Sequence, residues 1–223
     1  MSEVRRATPK AKSWRDTLRT LSSDKITNVE VVSESVEEPL FEEYPYANQE
    51  IIKGHFTHLL HPPRNGEPTQ IPMDFFFRTG SRLFILDPGR RDNLSDQVLL
   101  ELRSLLTDKM SIKPGSSVSR KGVWNFIRSA YEVRRVRIKA DPNKIESGSS
   151  ERISDRQNVV SFDQLPPDDV IGGNKVERAD LVFQFNGRLN VIYSDDLLSV
   201  VSEEDDQFEY AVQKFETEAI YNG

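Results

Sequence analysis

Apolar positions along this chain recur with two periods, and the change between them marks out its elements. In IPMDFFFRTGSRLFILDPGRRD (71–92), two apolar runs flank Arg78-Thr79-Gly80-Ser81, which predicts a β-hairpin whose second strand ends at Asp87-Pro88-Gly89. ADLVFQFNGRLNVIYSDD (179–196) predicts a second hairpin, since Asn186-Gly187 is a pair in which both residues tolerate positive φ. Residues 74–87 and 180–195 share one order: Asp, apolar strand, glycine turn, Arg-Leu, apolar strand, Asp. ITNVEVVSESV (26–36), EVRRVRIKA (132–140) and NVVSF (158–162) read as further strands.

The helical period appears elsewhere. SWRDTLRTL (13–21) places Trp14, Leu18 and Leu21 on one face behind Ser13 as cap. Leu94, Val98, Leu102 and Leu105 form a stripe that Leu99 and Leu106 widen, and GVWNFIRSAY (122–131) aligns Val123, Phe126, Ile127 and Ala130. A last amphipathic helix starts near Ser202 with the acidic first turn EEDD, and carries Phe208, Ala211, Val212, Phe215 and Ala219 on one face. EEPLFEEYPYANQE (37–50), broken by Pro39 and Pro45, is expected to be a loop pinned by its aromatics, and QLPPDDVIGGN (164–174) a turn-rich connection.

These elements predict an α+β fold: a mostly antiparallel sheet built from two β-hairpins, with helices packed on one face and a C-terminal amphipathic helix. Residues 1–12 are expected to form a disordered basic arm and 13–223 a single domain. Within it, 71–140 and 158–223 either form two similar hairpin–helix subdomains joined by the Ser- and charge-rich flexible loop 141–157, or share only the pattern common to hairpins.

Composition narrows the functional classes. The 223 residues contain no cysteine, which excludes disulfides, thiolate metal sites and cysteine nucleophiles and suits a cytoplasmic protein. The first sixteen residues lack the apolar core of a secretory signal, and no apolar run approaches the roughly 18 residues of a membrane span, so no membrane association is expected. The formal charge of −6 is strongly partitioned: residues 1–27 carry +4, 28–110 carry −6, 111–157 carry +6 and 158–223 carry −10. That alternation implies either basic surfaces for a polyanion or pairing of basic with acidic parts inside the molecule.

Catalytic signatures are missing. The chain has no G-x-S-x-G elbow, Walker A loop or G-x-G-x-x-G, and IGGNK (171–175) lacks the spacing of any of them. No Glu-x-Lys or Asp-x-Lys occurs, which removes support for many Mg²⁺-dependent nuclease sites. Asp87 is expected to cap the turn at Pro88-Gly89, and Asp168-Asp169 and Asp195-Asp196 to be solvated turn residues. All three histidines fall in GHFTHLLHPP (54–63). On a helix, His55 and His61 would be separated by a rise of about 9 Å, too far for three rings to share one ion. On a strand, which Pro62 favours, His58 faces away from the other two, which lie about 20 Å apart. A metal-dependent enzyme using these histidines is therefore the weakest reading, and no catalytic residue, metal ligand or cofactor is assigned.

The strongest functional signal is SRKGVWNFIRSAYEVRRVRIKA (119–140). Arg120, Lys121, Arg128, Arg134, Arg135, Arg137 and Lys139 stand there against the single acid Glu132, with Trp124 and Tyr131 among them. Clustered cations attract phosphate backbones by counterion release, and exposed aromatics stack on bases. Along the strand, Arg135, Arg137 and Lys139 alternate with Val136 and Ile138, giving one charged and one apolar face. Trp124 fits the core better than a stacking platform. The expectation is a non-enzymatic protein that binds DNA or RNA through these seven cations, with a second contact from the N-terminal Arg5, Arg6, Lys10, Lys12, Arg15 and Arg19. The alternative is a protein-interaction module or homodimer that pairs the basic strand with an acidic partner, using residues 196–209 and the aromatics Phe41, Tyr44 and Tyr46.

Overall fold

The computed structural model describes residues 2–61, 66–87, 95–113, 117–139, 175–194, 197–201 and 204–223. Among these the fold is mixed α+β, with ten strands, every described pairing antiparallel, and four α-helices. The chain divides into two compact units, Met1–Glu42 with Tyr46–Ser117, and Glu43–Pro45 with Val118–Gly223. The division at 117/118 puts the basic segment with the 179–196 hairpin, where the sequence pattern grouped it with the hairpin at 71–92. Loop 141–157, strand 158–162, the connection 164–174 and the turn at Pro88-Gly89 lie outside the described residues.

The first unit comprises β1 (Ser2–Pro9), α1 (Trp14–Arg19), β2 (Ile26–Val36), β3 (Glu50–Leu60), β4 (Thr69–Arg78), β5 (Leu83–Asp87), α2 (Ser95–Leu106) and β6 (Met110–Ile112). Its strands run in the order β2-β3-β4-β5-β1, with β6 also beside β1. The N-terminal residues correct an expectation: 2–9 form a strand rather than a disordered arm. Val4 and Ala7 are fully buried and β1 pairs with β5 and β6, so two small apolar anchors and a sheet edge outweigh the basic composition. Arg5 is buried and pairs with Glu3 at 3.0 Å. Arg15 pairs with Glu50 and Arg19 with Glu34, so these arginines have protein partners. The helical stripes behave as amphipathic faces should: Trp14, Leu18 and Leu21, then Val98, Leu99, Leu102 and Leu106, join Phe56, Phe75, Phe77 and Phe84 in one core. Trp14 meets Phe77 edge-on at 5.0 Å. A second buried ion pair in this unit joins Arg78 to Glu37 at 2.7 Å.

The histidine run lies on β3, and strand alternation separates its members. His58 is fully buried, whereas His55 is half-buried and its ring sits 3.5 Å from Glu30. His61 follows the strand and is exposed. Burial lowers the pKa of His58, and the Lys25 backbone and the Glu101 carboxylate only partly offset this.

The second unit comprises α3 (Arg120–Arg128), β7 (Glu132–Lys139), β8 (Lys175–Gln184), β9 (Arg188–Ser194), β10 (Leu197–Val201), α4 (Asp205–Phe215) and a π-helical turn (Glu216–Tyr221). Its strand order is β10-β9-β8-β7. Asn186 and Gly187 turn β8 into β9 with φ of 49° and 118°, the conformation for which this pair is suited. On the inner face, Val133, Ala179, Leu181, Phe183, Leu189, Val191, Tyr193 and Leu198 are buried. The helices cover that face: Phe126 of α3 stacks on Phe183 at 5.3 Å and meets Phe215 of α4 edge-on at 5.2 Å. Ser119 caps α3 by accepting a hydrogen bond from the Gly122 amide at 2.9 Å. The π-helical turn crosses α3 so closely that a Cβ at Gly122 would lie 2.2 Å from the Ala219 carbonyl oxygen. Tyr44 of this unit donates a buried hydrogen bond to Glu216.

Two predictions follow from this packing. His58 binds its proton more weakly folded than unfolded, so the unfolded chain takes up more protons as pH falls through its ordinary value of 6.5. Stability due to this residue is full above that pH and is lost on acidification. Thermal unfolding between pH 7.5 and 5.5 should show a falling Tm in the wild type and a flatter profile in His58→Leu; parallel profiles would contradict the assignment. Secondly, Gly122→Ala should destabilise the protein by about 1–3 kcal/mol, because the added methyl meets backbone rather than a flexible side chain. Urea denaturation measures this, and an unchanged midpoint would show that α3 and the π-helical turn separate freely.

Candidate functional site

The register of β7 on β8 decides which side chains reach solvent. Val133 pairs with Leu181, yet Arg135 pairs with Asp180, so Arg134 is an extra residue in β7. Without it, strict alternation would put Val133 and Arg135 on the same face. With it, Val133 is fully buried and both Arg134 and Arg135 are exposed. A second irregularity, between Arg137 and Ile138, sets Arg137 opposite Arg178 and Ile138 opposite Val176. Arg135, Arg137, Arg178 and Asp180 therefore share the outer face. Cross-strand pairing adds Ile192 opposite Asp180 and Asn190 opposite Val182.

A cavity of about 370 Å³ opens on this face, lined by Arg134, Arg135, Arg178, Asp180 and Asn190 together with Leu181, Val191 and Ile192. Among the described residues, two carboxylates serve four guanidiniums around it. Asp180 accepts from Arg178 at 2.8 Å and lies 3.9 Å from Arg135. Glu132 accepts from Arg134 at 3.2 Å and also from Arg188. Arg137 has no ion pair among the described residues. Tyr131, at the approach to β7, is 65% exposed, one of the largest apolar surfaces the described residues present to solvent.

The structure divides the seven cations singled out in the sequence. Arg134 and Arg135 line the cavity and Arg137 lies beside them on the same face. Arg120 and Lys121 are exposed on the first turn of α3, the helix packed against the opposite, apolar face, and Lys121 donates to the Asn222 carbonyl at 3.4 Å. Arg128 is half-buried at the end of that helix. Lys139 ends β7, and its side chain lies outside the described residues. Trp124 is 2% exposed and belongs to the core.

Arg178, Arg188, Asp180 and Asn190 were not among the sequence candidates. Arg178 and Asp180 carry a faint signal, an i, i+2 polar pair ahead of the apolar run Leu181–Phe183. Only the register of β8 against β7 and β9 shows that the pair faces Arg135 and Ile192. Among the described residues, no group of three or more acids and histidines is placed to hold a metal ion. No helix among them is long and apolar enough to cross a membrane. No protein-family model matches this chain, and neither does any curated protein sequence.

Proposed function

We propose that this protein binds nucleic acid, DNA or RNA, through the outer face of β7, β8 and β9. The observation that carries the reading is the shortage of acid among the described residues of that face. Four arginines share two carboxylates there, so with every ion pair made a positive excess of two charges remains, and Arg137 raises it to three. Across the three strands together, seven Lys/Arg stand against Glu132, Glu177 and Asp180, in a protein whose formal charge is −6. Phosphates would take the place of the missing carboxylates, each contact releasing condensed counterions.

Edge protection is the ordinary reason for arginines and bulges on an outermost strand. It accounts for Arg134, Arg135 and Arg137 on β7, which has one strand neighbour among the described residues. It does not account for Arg178 and Arg188 on β8 and β9, which have neighbours on both sides. Internal pairing with the acidic C-terminal third, the other ordinary account, is represented among the described residues by Asp180, which lies 3.9 Å from Arg135 of β7. Asp180, the carboxylate among the described residues lining the cavity, is held by Arg135 and Arg178.

Fluorescence anisotropy with labelled duplex DNA and single-stranded RNA, titrated from 50 to 200 mM salt, tests the proposal. Affinity should fall steeply with salt, and changing Arg134, Arg135 and Arg137 together to alanine should reduce the slope of log K against log salt by roughly two to three. Absence of binding at low salt, or tight binding indifferent to salt, would defeat the proposal and direct the search to a protein partner. Asp180→Asn is the complementary change. It frees Arg135 and Arg178, and should tighten binding about five-fold at fixed salt, mainly through a faster on-rate. A weaker complex would mean that Asp180 positions the arginines rather than competing with the ligand.

A further inference from the structure

The register of β7 on β8 sets two arginines against each other. Arg137 stands directly opposite Arg178. Like charges in that position are destabilising, because their Cβ atoms lie only about 4.5–5.5 Å apart. In the neighbouring row Arg135 faces Asp180, whose carboxylate accepts from Arg178 at 2.8 Å and lies 3.9 Å from Arg135. Asp180 is thus shared by two guanidiniums, and Arg137 has no ion pair among the described residues. Glu177 adds an acid beside Arg178 in sequence but pairs with none of these arginines among the described residues. Ser194 of β9 faces Arg178 from the other side and brings a hydroxyl group to the row. Protection of an outermost strand accounts for Arg137, but not for an arginine set across from it on β8, which has neighbours on both sides.

We propose, resting on the nucleic-acid reading above, that Arg135, Arg137 and Arg178 hold a terminal phosphate, the phosphomonoester at the end of a nucleic-acid strand. A monoester presents three acceptor oxygens and a charge of about −1.5 to −2 near neutrality. A phosphodiester within the strand presents two free oxygens and a single charge. Successive diesters are served by cations spaced along a track, whereas these three guanidiniums gather at one place around one shared carboxylate. The monoester matches them in both charge and oxygen count, and its arrival turns the repulsion between Arg137 and Arg178 into a joint attraction. Arg135 and Arg178 also border the cavity of about 370 Å³, which leaves room for the terminal sugar beside the phosphate. Arg134 and Arg188, gathered on Glu132, remain for the diesters that follow.

The test compares twelve-nucleotide single strands of one sequence that end in a 5′-phosphate, a 3′-phosphate or hydroxyl groups only, each carrying fluorescein at the end not under test, at 50 mM salt. One phosphorylated end should bind about ten-fold tighter than its hydroxyl counterpart, within the range of charge-assisted hydrogen bonds. The two phosphorylated strands tell which end is held. That preference should shrink as pH falls through about 6, where the monoester takes up its second proton, with the hydroxyl-ended strand as reference at each pH. Inorganic phosphate should compete the preference away while leaving the hydroxyl-ended strand bound. Arg178→Gln should bind all three strands alike and still respond to salt. Equal affinity of the wild-type protein for phosphorylated and hydroxyl ends, with salt dependence intact, would overturn this inference and leave the nucleic-acid reading standing. Binding of a phosphoserine peptide where no oligonucleotide binds would overturn both and assign the arginines to a phosphoprotein. The comparison of ends needs no variant, so the inference remains testable should Arg178→Gln fail to fold.

Discussion

The extra residue at Arg134 is the constraint on which the second unit depends. An antiparallel strand offers its side chains to two faces in strict turn, and β7 carries more charge than one face of that alternation can absorb. If the alternation ran unbroken from Val133, Arg135 would share the buried face of Val133, opposite Ala179. Burying an arginine there without a partner would cost several kcal/mol. The bulge changes phase after one residue. Val133 remains in the core, Arg134 and Arg135 both reach solvent, and Val136 and Ile138 face inwards opposite Ala179 and Val176. The same step brings Arg135 opposite Asp180, which β8 has already placed beside Arg178. Core and cationic cavity thus follow from one local departure from regularity.

The opposite face obeys a different demand. Phe126, Phe183 and Phe215 meet at centroid distances of 5.2 and 5.3 Å, a tight aromatic cluster that fixes α3 and α4 against the strands. Gly122 allows the π-helical turn to approach α3 at backbone distance, and Lys121 and Asn125 reach the Asn222 carbonyl from the same helix. The cations of α3 are thereby engaged with the C-terminal turn or spread around the helical layer. A cationic helix and a cationic strand that are neighbours in sequence face away from each other in the fold, because the sheet lies between them.

This explains how much was legible beforehand. The helical stripes at Trp14, Leu18 and Leu21 and at Val98, Leu102 and Leu106 could be read because each is a periodicity within one segment, and so could the Asn186-Gly187 turn. β1 could not, because residues 2–9 have too few apolar positions to show a period; Val4 and Ala7 suffice only once β5 and β6 are there to pair with. The strand part of the basic segment was visible as a run of arginines. Its grouping with Arg178, Arg188, Asp180 and Asn190 was not, since cross-strand register is a relation between segments, and a one-residue bulge reverses which face every later residue occupies.

The same reasoning separates two kinds of arginine. These four of the first unit meet at least as many carboxylates: Arg5 with Glu3, Arg78 with Glu37, and Arg15 and Arg19 with Glu34, Glu50 and Asp16. Such pairs hold secondary structure elements together and leave little field outside. On the outer face of β7–β9, each carboxylate is divided between two guanidiniums, which repel one another across it. That arrangement is poor for stability, since the like charges are held close with half the neutralisation available elsewhere in the chain. It suits a surface completed by an anion from solution, because the ligand then relieves a repulsion already present in the free protein and gains more than the same contacts would give on a neutralised surface.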